Sequence, residues 1–251
     1  MKQKWFGLTV LLSVILFLSC CSYQRPLFRL TPETDQTTWL FGKEYSKQSQ
    51  NGLITAIAFE KYTYNHIVFD VSISNISSED VLIAPENFYY LTSDSSLSKP
   101  RIKIFAIDPE LQLIEAEKQS SKEEARYSKT TDLYLFSSFL GLLSDVSSAG
   151  KSKTEEEREA ERLDDEEERQ DREESEIWHK EKMHDLNELR SEWEVGALRK
   201  TTLKERFTIH GKVYFHRNDQ TEWIQVNFPL GESCFQFGFH QEQIQVESNG
   251  C

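Results

Sequence analysis

Residues 151–194 cannot build a core, and this constrains the chain more than any other feature. The block holds 19 acidic and 9 basic residues and carries −10 of the total formal charge of −13. Only eight of its 44 residues are apolar: Ala160, Leu163, Ile177, Trp178, Met183, Leu186, Leu189 and Trp193. Burying unpaired charge is costly, so most of this block must face water. The remaining 207 residues are near neutral and apolar enough for an ordinary core. Such an acidic balance offers no basic face for phosphates, so nucleic acid is excluded as a partner.

The N-terminus carries an address. Lys2 and Lys4 precede an uncharged stretch from Trp5 to Leu18. Fourteen residues are too few to span a bilayer but suit the core of a signal peptide. The stretch ends at Leu16-Phe17-Leu18-Ser19-Cys20, which resembles the lipobox of bacterial lipoproteins. The resemblance covers the first 20 residues and implies acylation at Cys20 after removal of residues 1–19, with Phe17 departing from the more usual leucine. Each acyl CH₂ buried in a bilayer contributes about 0.8 kcal/mol to such an anchor. No aspartate follows Cys20, which in lipoproteins of enterobacterial type implies the outer membrane. Residues 20–37, polar and holding Pro26 and Pro32, read as a tether. Of the other cysteines, Cys21 adjoins the lipid site, and Cys234 and Cys251 are candidates for a disulfide that the envelope permits. A solitary strand cysteine and a terminal one are the alternative.

Strand signals fall in two groups. In His66–Ser74, Ile67, Phe69, Val71 and Ile73 alternate with Asp70, Ser72 and Ser74, the period of a half-buried strand. Further strands are expected at Gly52–Glu60, Val81–Ile83, Phe88–Leu91 and Arg101–Ile107. The second group holds Phe207, Ile209, Val213 and Phe215 on one face, then Ile224, Val226 and Phe228, then Phe235, Phe237 and Phe239. About seven to eight short strands at this spacing predict a mainly β fold, an antiparallel β-sandwich built from residues 38–107 and 200–245 with a short tail, 246–251. Ile67-Val68-Phe69-Asp70-Val71-Ser72-Ile73-Ser74-Asn75, Asp80-Val81-Leu82-Ile83 and Pro85-Glu86-Asn87-Phe88 resemble the early strands of bacterial immunoglobulin-like lipoprotein domains of the telokin-like, immunoprotective-extracellular type. Leu198–Leu203 and Gly211–Phe215 resemble their late strands. The resemblance implies an immunoglobulin-like fold and an envelope location. It implies no reaction, and the long insert departs from the compact family pattern.

Residues 108–199 read as a helical, hairpin-like insert. Asp108-Pro109-Glu110 is a start signal, with an N-cap acid, a proline at the first helical position and an acid at the positive end of the dipole. One helix is expected towards Tyr127, a second from Thr131 to Val146 with a stop at Gly150, and a third after the capping box of Thr154 and Glu157, ending at Gly196. Glu155–Glu176 lacks an apolar stripe and predicts an exposed helix laced by the pairs Asp165–Arg169, Glu168–Arg172 and Glu176–Lys180. Trp178, Leu186, Leu189 and Trp193 form a later stripe expected to dock on the β body.

Leu133, Leu135, Phe136, Phe139, Leu140 and Leu143 form the most apolar stretch after the leader. Burial against the body or a neighbouring helix is one expectation, supported by the small Ser137, Ser138 and Gly141. Contact with a membrane or protein partner is the other, although 12 uncharged residues cannot span a bilayer.

Recognisable reaction chemistry is sparse. His179 and His184 lie about 140° apart around a helix and share no face. His184 and Glu188 face together but offer two ligands, too few for a metal site. No phosphate loop, nucleophile elbow, Cys-X-X-Cys pair or cofactor motif occurs. The expectation is a lipid-anchored envelope protein with a non-enzymatic binding, assembly or structural role. Its partners would be the membrane, through the anchor, and an envelope protein, through the insert. A hydrolytic or carbohydrate-active enzyme and a membrane-contacting lipoprotein acting through Leu133–Leu143 are the alternatives.

Overall fold

The computed structural model describes residues 26–93, 102–148 and 154–244. The leader, Cys20, Cys21, Gly150, Cys251 and the tail lie outside the described residues. The chain is mainly β, with two antiparallel five-stranded sheets and one long helical segment. The strands are β1 (Leu27–Pro32), β2 (Thr37–Leu40), β3 (Lys43–Gln50), β4 (Leu53–Tyr62), β5 (His66–Asn75), β6 (Val81–Ile83), β7 (Tyr89–Ser93) and β8 (Lys103–Phe105). After the helices come β9 (Thr201–Leu203), β10 (Thr208–His216), β11 (Trp223–Leu230) and β12 (Ser233–Ile244).

One sheet has the order β1-β12-β11-β7-β8 and the other β10-β5-β4-β3-β2, while β6 and β9 pair alone. Strands from before and after the helical segment are therefore neighbours in both sheets. β5 pairs β10 with Phe69 opposite Val213 and Ile67 opposite Phe215, and β7 pairs β11 with Tyr90 opposite Val226. The core lies between the sheets. Phe69 meets Phe239 at 5.1 Å between ring centroids, and Tyr90 meets Phe215 at 5.4 Å. The alternation in β5 places Ile67, Phe69, Val71 and Ile73 in that core, all fully buried.

Twelve strands occur among the described residues, where about seven to eight were expected. Two of the additional strands lie at sheet edges. Leu27–Pro32, read as tether, is β1 and pairs β12 with Leu30 opposite Gln241. Its proline, Pro32, is tolerated because one side of this edge strand bears no partner strand. The polar β3 has no apolar alternation, and its ladder to β4 holds it in the sheet. Phe207 does not join Ile209, Val213 and Phe215. It precedes β10 and is exposed, because Arg206 adopts a positive φ and the turn closes through Phe207 N–H donating to Lys204 O.

The helical segment has two long helices, α1 (Pro109–Ser148) and α2 (Glu155–Ser191), followed by a π-helical turn, Glu192–Gly196. Both predicted starts are formed. Glu110 N–H donates to Asp108 Oδ1 at 2.9 Å, and the Thr154–Glu157 capping box is closed from both sides. The break expected between Tyr127 and Thr131 is absent. The Thr130 and Thr131 hydroxyls donate back to the Arg126 and Tyr127 carbonyls, so the β-branched pair sits within the helix without a breaker. At 1.5 Å per residue, the 40 residues of α1 span about 60 Å.

The arm is held at its root by β10. Ile107 N–H donates to Tyr214 O, and Leu198 N–H donates to Lys212 O, both at 2.8 Å. Gly211 makes the second contact possible: a Cβ there would come within 2.7 Å of the Leu198 nitrogen. Arg199 grips Glu110 with two hydrogen bonds of 2.8 and 2.6 Å, tying the exit of the arm to its entry. These bonds hold the Glu110 carboxyl below the usual carboxylate range. Trp193 and Ala197 cover Val68 and Tyr214, with Leu113 packed against them. Tyr214 OH donates to Glu192 at 3.1 Å.

Candidate functional site

Two surfaces stand out, one on the arm and one on the β body. On α1 the residues turned inward are Leu113, Ala116, Ser120, Glu123, Tyr127, Thr130, Tyr134 and Ser138. Their spacing alternates between three and four as far as Tyr134, following the seam of a coiled coil. The corresponding residues of α2 are Glu168, Ser175, His179, Met183 and Leu186. This seam is unusually polar. His179 stacks on Tyr127 with centroids 4.0 Å apart, and its Nδ1 lies 3.2 Å from Glu123. Arg126 donates twice to the same carboxylate, at 2.9 and 2.8 Å. Those bonds, with His179, hold Glu123 below the ordinary glutamate value.

Where Tyr134 and Ser138 occupy the seam, the neighbouring apolar residues of α1 point outward. Leu133, Leu135, Phe136, Phe139, Leu140 and Leu143 are each 49–67 % exposed. Their expected burial is not found: Tyr134 and Ser138, not the leucines and phenylalanines, occupy the inner face at this level. The later stripe divides in the same way. Leu186 and Trp193 are buried, while Trp178 is nearly half exposed beneath the Arg126 guanidinium and Leu189 is 40 % exposed. The charged half of α2 is exposed as expected. Glu168–Arg172 and Glu176–Lys180 pair at 3.7 and 2.6 Å, whereas Arg169 pairs with Glu166 rather than Asp165.

The second surface is the outer face of the sheet containing β5. Asp70 is almost completely buried there. It accepts hydrogen bonds from Lys43 Nζ and from Tyr45 OH, the latter at 2.8 Å, and it ion-pairs with His210 Nε2. Lys43 also pairs with Glu60, which lies 3.7 Å from Lys212. Burial pushes the Asp70 carboxyl up, but the bonds from Lys43 and Tyr45, aided by attraction to His210, outweigh it and hold the group below its ordinary value. Burial and the same carboxylate push the Tyr45 phenol up to about 12. The Lys43 ammonium, despite its desolvation, is held above the ordinary lysine value by Asp70 and Glu60.

Beside this cluster lies a groove of about 590 Å³ between Leu40 and Phe41 on one side and Ser72 and His210 on the other, with Ala56 among its lining residues. Ser72 lies opposite His210 in the ladder, close to Asp70. β5 is paired on both edges, so its backbone N–H groups at this level are committed to the sheet.

Sequence reasoning did not nominate Asp70, Lys43, Tyr45 or His210. The available signal was a charged residue in the middle of a β-branched strand. Its partners lie 25 to 140 residues away, and only the strand register brings them together. Cys234 is exposed on β12, and its candidate partner Cys251 lies outside the described residues. His184 and Glu188 meet at 3.3 Å on exposed helix. Among the described residues, no group of three or more histidine, cysteine or acidic side chains is placed to hold a metal ion, and no helix is long and apolar enough to cross a membrane. The chain matches no known protein family, no curated protein and no solved structure.

Proposed function

We propose that the protein is a lipid-anchored component of a bacterial cell envelope, with its anchor at Cys20 and sorting to the outer membrane. We assign its two facing sheets to the immunoglobulin-like sandwich class. Its role is non-enzymatic, in binding, assembly or support of another envelope component, and the helical arm is the contact surface. One observation carries the arm assignment: Leu133, Leu135, Phe136, Phe139, Leu140 and Leu143 point away from the seam while Tyr134 and Ser138 occupy the inner face. Large exposed apolar patches mark interaction sites. The anchor rests on the leader pattern of Lys2, Lys4, Trp5–Leu18 and Ser19-Cys20.

Two experiments test these assignments separately. A photo-crosslinking residue at Leu135 or Phe139 will give discrete adducts with an envelope protein. The combined substitutions Leu133→Ser, Phe136→Ser and Leu140→Ser will remove those adducts. Because these side chains are exposed, each substitution will change stability by roughly 0.5 kcal/mol or less. An unchanged adduct pattern refutes the contact arm. A fatty-acid probe will label the wild type and leave Cys20→Ala unlabelled; equal labelling refutes the anchor.

A further inference from the structure

We propose that the groove beside Asp70 binds a small amphipathic monoanion, a carboxylate with a short acyl or aryl tail. This inference is independent of the role of the arm. The anion site follows from one row across the sheet. Lys47 of β3 lies opposite Ala56 of β4, Ala56 opposite Ser72 of β5, and Ser72 opposite His210 of β10. Paired residues in neighbouring strands put their side chains on the same face, so all four belong to the outer surface. Strands are spaced by about 4.8 Å, which places Lys47 and His210 about 14 Å apart at their backbones. The long side chains at the two ends and the small ones between them leave a depression centred on Ala56.

Charge decides which head group that depression takes. Lys43 and Asp70 satisfy each other, and Glu60 and Lys212 complete a nearly balanced cluster. Lys47 is exposed and forms no ion pair among the described residues. It is therefore a positive group without a counter-charge at the edge of the groove, on a chain whose net charge is −13. The Lys47 ammonium and the Ser72 hydroxyl can donate to one carboxylate above Ala56, giving one charge-assisted and one neutral hydrogen bond. Leu40 and Phe41 supply an apolar wall for the tail, and both are exposed without it. A groove of this volume, with Leu40 and Phe41 as an apolar wall and polar side chains such as Lys47 and Ser72 opposite, has the character of a small-ligand site.

Titration calorimetry of the full chain with decanoate tests the proposal, with decanol and decyltrimethylammonium as uncharged and cationic comparisons. Decanoate will bind, and the comparison compounds will bind at least about tenfold more weakly. Lys47→Glu will weaken decanoate by about tenfold or more, whereas Lys204→Glu, the same charge change at an exposed turn, will not. Ala56→Leu fills the depression and will abolish binding; circular dichroism of each variant establishes that it is folded. Absence of decanoate binding, equal binding of decanol, or equal effects of Lys47→Glu and Lys204→Glu overturns the proposal.

Discussion

Trp193→Ala is expected to lower the stability of the protein by about 3–5 kcal/mol, the usual range for removing a buried aromatic side chain. Trp193 is 3 % exposed and sits 4.4 Å from the Tyr214 ring on the outer face of β10. It also covers Val68, together with Tyr214, Ala197 and the partly buried Ile107 and Leu113. Denaturant unfolding followed by tryptophan fluorescence and far-ultraviolet circular dichroism will measure the loss. Limited proteolysis will show faster cleavage around Ile107 and Ala197, because the root of the arm is held by this packing and by the two backbone bonds to β10. Trp178→Ala supplies the contrast. Its indole is nearly half exposed and packs mainly under Arg126, 4.1 Å away, so the expected cost is about 1 kcal/mol or less. Equal losses from the two substitutions would mean that Trp193 does not hold the arm.

Asp70→Asn is expected to cost about 3 kcal/mol at neutral pH. The substitution removes the negative charge that Lys43, Tyr45 and His210 share and leaves Lys43 with Glu60 alone. Removing one member of a buried pair leaves its partners uncompensated, although Lys43 and His210 retain some solvent, which keeps the cost at the lower end of the range. The pH dependence has a definite sign. The carboxyl is held below its ordinary value in the folded protein, so the unfolded chain binds the proton more readily. The stabilisation is complete above the unfolded value of about 3.9 and is lost as pH falls through the folded value. The stability difference between wild type and Asp70→Asn, measured by denaturant titration at a series of acid pH values, will therefore shrink as pH falls below about pH 4. A difference that persists undiminished under acid conditions would show that the ionised carboxylate is not the source.

Local rules made much of this protein legible. Period-two alternation identified β5, and the buried phenylalanines of β11 and β12 behave as that pattern requires. Asp108 and the Thr154–Glu157 pair marked both helix starts, because capping is chemistry between residues two or three apart. Two strands were less visible: β1, at a sheet edge, and β3, between β4 and β2, carry little alternation and owe their conformation to hydrogen bonds with their neighbours.

The composition of residues 151–194 determined by itself that most of their charged side chains would face water, because 28 charges in 44 residues cannot be taken from it. Which face of each helix would turn inward was decided only by tertiary structure. Trp178 and Trp193 look alike in the sequence, yet one meets solvent and the other Tyr214. A polar seam that includes Glu123, Tyr127 and His179 leaves Leu133, Leu135, Phe136, Phe139, Leu140 and Leu143 facing outward, against the preference of those side chains taken alone. The Asp70 cluster likewise exists only once β3, β5 and β10 lie in register. Alternation and capping act between near neighbours, whereas seams, roots and charge clusters join residues whose separation along the chain carries no information about their distance in space.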